Sequence, residues 1–87
     1  MATIDITGGP SKDELVSRVL SSLPVTFLTA GGPVEVLIEE IRETDASGNH
    51  LALTGRIVVG TRTGARVEGH YDGQRMIGTL DVATNGA

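Results

Sequence analysis

The sequence predicts an α+β fold in which one N-terminal amphipathic helix packs on a curved antiparallel β-meander of about five to six strands. Two observations carry this. Ser11 begins a single helix-like segment that ends at Pro24, and everything after that proline is β-patterned. Between Gly55 and Asp81 the chain also runs as three nine-residue units, GRIVVGTRT, GARVEGHYD and GQRMIGTLD, each with Gly at its first and sixth positions. Glycine weakens a strand unless the strand must bend or let another backbone come close, so six of the 12 glycines at regular spacing imply a specified curvature.

Thr3 to Thr7 alternates polar residues with Ile4 and Ile6 and reads as a short strand, ended by Gly8-Gly9-Pro10. The helix follows. Ser11 and Glu14 have the spacing of a capping box, and Leu15, Val16, Val19, Leu20 and Leu23 fall on one face. Pro24 stops it, because the residue before a proline is pushed out of the helical region.

Val25 to Ala30 and Val34 to Glu43 flank a reversal at Gly31-Gly32-Pro33. Glu39-Glu40 interrupts the alternation of Val34, Val36 and Ile38, and a bulge near Glu39 returns Ile41 to the same face. Asp45 to Asn49 has turn chemistry and leads to a strand starting at Leu51. In the glycine repeat, Asp72-Gly73 is a two-residue hairpin turn that sets Tyr71 opposite Gln74 and Gly69 opposite Met76. A three-residue loop, Arg62-Thr63-Gly64 with Gly64 left-handed, sets Thr61 opposite Ala65, Val59 opposite Val67 and Gly55 opposite Tyr71. These registers bury Leu51, Leu53, Ile57, Val59, Val67, Tyr71, Met76, Leu80 and Val82 together. A β-solenoid also fits the nine-residue period, but three half-coils without a capping unit are too few to stack stably. Residues 1–84 form one domain, and 85–87 read as a frayed tail.

With 87 residues the core is a single thin layer. The absence of Cys excludes disulfides, thiolate metal sites and a catalytic thiol, and suits a reducing compartment. No apolar run is long enough for a membrane span, and MATIDITGG lacks the regions of a signal peptide, so a cytoplasmic protein is expected. The net charge of −4 is uneven: residues 1–50 carry −5 and residues 51–87 carry +1. An acidic surface with only Phe27 and Tyr71 for stacking argues against nucleic acid.

No cofactor, metal or catalytic motif is present. Ile6 to Lys12 has the order strand, glycine loop, helix start, lysine, which can cradle a phosphate. The Gly-Lys-Ser/Thr end is missing, however, and Pro10 removes a donor, so a capped helix explains it. His50 and His70 have no third imidazole, and His50 reads as a turn residue. On the outward face Arg56, His70 and Arg75 form one cross-strand row beside Arg66 and Glu68, with Val58 and Ile77 as apolar neighbours. That set is the candidate surface for an anion or an acidic protein partner. The sequence therefore points to a non-enzymatic interaction module that meets a protein partner or a second copy as a homodimer. The alternative is a small-ligand binder or enzyme with a pocket between helix and sheet, fringed by Tyr71, His70 and Arg75.

Overall fold

The computed structural model describes residues 2–60 and 62–83; the expected tail at 85–87 and the Thr61–Ala65 pairing lie outside them. Six strands and one helix follow in the order β1 (Ala2–Thr7), α1 (Lys12–Leu20), β2 (Val25–Thr29), β3 (Gly32–Glu43), β4 (His50–Val59), β5 (Arg66–Asp72) and β6 (Ile77–Val82). Each strand pairs antiparallel with the next, and β6 returns to β1 from Ala2↔Val82 to Thr7↔Ile77, closing the meander into a six-stranded barrel. The expected antiparallel meander is present, and its closure goes beyond the curved sheet that was expected. No local signal marks it, because β1 and β6 lie at opposite ends of the chain.

Inside the barrel lie Ile6, Phe27, Val36, Leu51, Ile57, Val67, Tyr71, Leu80 and other aliphatic side chains, none more than 3% exposed, and among the described residues no polar side chain is buried except through the tyrosine. The helix plugs one end. Ser11 Oγ accepts from Glu14 N at 3.5 Å, one half of the expected capping box, while the Glu14 carboxylate lies 3.8 Å from Arg18 Nε, and Leu15 is fully buried. Gly9 lies flat on the aromatic pair beneath it: a Cβ there would come within 2.6 Å of the Phe27 ring and 2.7 Å of the Tyr71 hydroxyl. Tyr71 also donates from its hydroxyl to the Pro10 carbonyl at 2.8 Å, tying β5 to the loop before the helix.

The helix ends three residues earlier than the apolar pattern predicts. Ser22 takes a left-handed φ of 56°, with Ser22 N donating to Val19 O and Leu23 N to Arg18 O, a Schellman closure that halts the helix before Pro24 acts. Leu20 and Leu23 consequently face solvent, at 81% and 49% exposure, instead of joining Leu15.

Both hairpin registers differ from the expected ones by four residues. Tyr71 pairs with Gly78 rather than Gln74 and with Leu51 rather than Gly55. In the β5–β6 connection Asp72 does not sit inside a two-residue turn. Its carboxylate accepts from Gln74 N at 2.9 Å and Arg75 N at 3.1 Å, and the loop runs from Gly73 to Met76, which has a φ of 59°. Between β4 and β5, Gly60, Arg62 and Gly64 all take positive φ, so the loop is longer than three residues, although Gly64 is left-handed as expected. Four is an even shift, and side chains alternate with period two, so the expected inside and outside faces survive. Two residues are lost from the expected core: Met76 to the turn, and Val59 beyond a β3–β4 irregularity between Glu35 and Val36. The bulge foreseen near Glu39 is present, between Ile38 and Glu40.

The three repeat glycines that lie within strands serve backbone approach more than side-chain room. A Cβ on Gly55 would overlap the Leu37 carbonyl oxygen, on Gly69 that of Thr79, and on Gly78 that of His70. Gly69→Val should therefore cost about 3 kcal/mol, at the upper end of overpacking, in urea unfolding. Arg66→Val, on the outer face, should stay within about 0.5 kcal/mol. The reverse ranking would mean that the inner face has been misassigned.

Tyr71 supplies a second check, since burial pushes its hydroxyl pKa up to about 12, with the nearby Asp72 charge adding to the rise. A raised folded pKa adds stability that is complete below the unfolded value of 10.0 and is lost as pH rises through about 12. Tyr71 is the sole tyrosine, so tyrosinate absorbance reads it directly. The expected midpoint while the protein stays folded is near 12, and a midpoint near 10 would show the ring to be solvated.

Candidate binding cleft

A cleft of about 730 Å3 opens on the outside of the barrel near its helix-plugged end. Two cross-strand rows build its floor. One runs from Asp5 on β1 through Thr79 on β6 to His70 on β5, and the other runs from Thr7 through Ile77 and Asp72 to His50 on β4. Thr44 and Asp45, from the connection between β3 and β4, make the overhanging wall. Outward parity places Asp5, Thr7, His70 and His50 on this face, and Ile77, 43% exposed, gives it an apolar centre.

His50 pins the wall to the floor. Its Nδ1 contacts Asp45 Oδ2, and its Nε2 lies 3.4 Å from Asp72 Oδ2. Each carboxylate is itself held. Asp45 Oδ1 accepts from Ser47 N and Ser47 Oγ, and Asp72 Oδ1 accepts from the Gln74 and Arg75 amides. The Asp45 carboxyl is held below its ordinary value, chiefly by the Ser47 hydroxyl and then by His50. The Arg75 amide leads the same effect at Asp72, followed by the Gln74 amide and the charges of His50 and Arg75, with partial burial opposing in both. Both ring nitrogens of His50 face carboxylates, so it has no free nitrogen with which to act as a general base. His70, by contrast, has no hydrogen-bond partner among the described residues.

What this arrangement offers chemically is fixed acceptors around an apolar patch, suited to an ammonium or guanidinium on an apolar stem. Among the described residues no three His, Cys, Asp or Glu side chains converge to hold a metal ion.

The sequence-derived surface is dispersed. With the four-residue shift, Arg56 faces Arg66 across β4 and β5, and Arg56 reaches Glu39 at 3.8 Å. His70 sits four residues along β5 from Arg66, about 13 Å away at strand rise, between Ala52 and Thr79. Arg75 lies in the β5–β6 loop. The single row of Arg56, His70 and Arg75 therefore does not form. Val58 and Ile77 also separate: Val58 is half-buried near the end of β4 that leads to β5, and Ile77 starts β6 at the opposite end of the barrel. Of the expected set, the cleft gathers His70 and Ile77. Between helix and sheet, where the alternative reading put a pocket, Leu15, Phe27 and Tyr71 are buried, and a small hollow of about 170 Å3 lies between the glycine loop, Glu14 and Arg18 of the helix, and Val25 and Thr26 of β2. The glycine loop is not arranged as a phosphate cradle either, since Lys12 Nζ is paired with Glu43 Oε2 at 2.6 Å.

Asp5, Asp45, His50 and Asp72 were each explicable locally, as strand, turn or cap residues, and nothing in their spacing unites them. The shared outward parity of Asp5 with Thr7, and of His70 with Asp72, was the available signal; it becomes a site only once β1 pairs with β6. The chain matches no protein-family model, and comparison with curated proteins and with solved structures finds no match.

Depressed folded pKa values mean that Asp45 and Asp72 contribute stability above the ordinary carboxyl value of 3.8, lost as pH falls through their lowered values. The urea midpoint of wild type should therefore drop more steeply from about pH 5 to about pH 2 than that of Asp72→Asn, the two converging at the acid end. Parallel curves would show that the carboxylate does not hold the turn.

Proposed function

We propose that this domain is a non-enzymatic protein-interaction module whose outer cleft receives a basic side chain of its partner. The observation that carries the reading is that Asp5, Asp45 and Asp72 line one cleft with the part-exposed Ile77 on an acidic chain, while among the described residues the barrel interior holds packed apolar side chains and Tyr71. Opposite charge steers such a partner to the face, and the apolar centre takes the methylene stem of lysine or arginine. No oriented nucleophile and base stand together in the cleft, which favours binding over turnover. A small cationic ligand is the second reading, favoured by the cleft volume, which lies within the range of small-molecule sites.

Amide chemical-shift mapping with an acetylated, amidated hexapeptide of alternating lysine and valine tests the proposal, with n-hexylammonium as the small-ligand comparison. Shifts should centre on His50, His70, Asp72 and Ile77, and Asp5→Asn should weaken peptide binding roughly three- to fivefold, the value of one exposed charge pair. Equal or tighter binding of hexylammonium moves the assignment to a small ligand. Shifts confined to the Arg56 and Arg66 end, or indifference to Asp5→Asn, overturn the cleft.

A further inference from the structure

The barrel is closed unequally. Five of its six seams are ladders of at least five residue pairs, but β1 meets β2 only at Thr7↔Leu28. The cause is stagger. Continuing that register would set Asp5 against Ala30 and Ile4 against Gly31, yet β2 has ended at Thr29, and the chain reverses there into β3. The reversal is fixed, with Thr29 Oγ1 donating to Gly32 O at 2.7 Å and accepting from Gly31 N at 3.1 Å. From Thr3 to Asp5, β1 therefore hydrogen-bonds to β6 on one side and to no strand on the other among the described residues. Alternate backbone groups of an antiparallel strand point to each side, so this edge presents unpaired N–H and C=O groups. A hollow of about 320 Å3 lies alongside, between Thr3, Ile4 and Asp5 on one bank and Thr29, Ala30 and Gly31 on the other.

We infer that this open edge of β1 binds an extended segment of a partner protein by strand addition, the segment alternating basic and β-branched residues. Main-chain pairing to β1 supplies affinity and the side-chain alternation supplies selectivity. Inward-facing residues of the added strand meet Ile4, which packs against the core, and outward-facing ones meet Asp5. Asp5 lines both this hollow and the cleft beside β6, so a basic side chain of the added strand meets the acidic rim that the two share. Charge also chooses between occupants. A second copy would bring another Asp5 to an edge that already carries one, whereas a basic segment is complementary. The inference rests on the module reading for its choice of partner and adds how that partner is held.

The test uses the same lysine–valine hexapeptide and two versions of it, each N-methylated at one alternate set of residues; all three carry the same charge. Strand addition predicts that one methylated version loses at least tenfold in affinity while the other binds nearly as well, because only one edge of the added strand faces β1. It also predicts slowed amide exchange within Thr3 to Ile6 when the parent peptide is bound. Equal effects of the two methylations, or unchanged exchange in β1, overturn strand addition; shifts retained at His50 and His70 in that case leave the cleft reading standing. Failure of all three peptides to bind overturns both. Concentration-dependent protection of Thr3 to Ile6 without peptide gives the edge to a second copy and overturns the choice of partner.

Discussion

Six strands make a narrow barrel, and the close approach of backbone to backbone inside it governs the rest of the structure. A ring this small has to coil its strands sharply, and at Gly55, Gly69 and Gly78 the neighbouring carbonyl oxygen occupies the place of a side chain. These positions lie on consecutive strands, so the sharpest approach is shared among β4, β5 and β6 rather than concentrated in one kink. Half of the glycines in the nine-residue repeat answer that requirement, and the other half, Gly60, Gly64 and Gly73, belong to the connections.

A consequence is the division of labour between inside and outside. The narrow interior is filled by aliphatic side chains and the Phe27–Tyr71 pair, whose ring centroids lie 5.4 Å apart. Among the described residues no polar side chain enters except the tyrosine, and its hydroxyl reaches out to Pro10. Charged and titratable groups are left to the outer surface, where the connections shape them into relief. One end is sealed by the glycine loop and helix, with the His50 clamp beside it. The other carries the β2–β3 reversal and the open side of β1.

The helix start, the strand parity and the Glu39 bulge were legible because each is written within a few neighbouring residues: Ser11 with Glu14, Leu51 with Leu53, Ile38 with Ile41. Turn lengths were not. Asp72-Gly73 has the composition of a two-residue hairpin, but the Asp72 side chain competes for the following amides and draws the chain into a wider loop. The inner face was still assigned correctly because that displacement is even. Surface rows had no such protection: four residues along a strand carries Arg56 away from His70 altogether. The cleft was least legible, since its two rows span β1 and β6, whose partnership no local pattern encodes. The dispersal of Val58 and Ile77 follows from the same register change.

The pairing of Ala2 with Val82 also bears on how the molecule is made. Every other pairing joins strands consecutive in sequence and can form as soon as the second of them exists, while this one brings together positions about 80 residues apart and carries the largest loop-closure entropy. The ring therefore completes only after β6 has been synthesised. Until then β1 lacks its one extensive strand partner, and the nascent chain carries an uncommitted strand that is open to pairing with a neighbour.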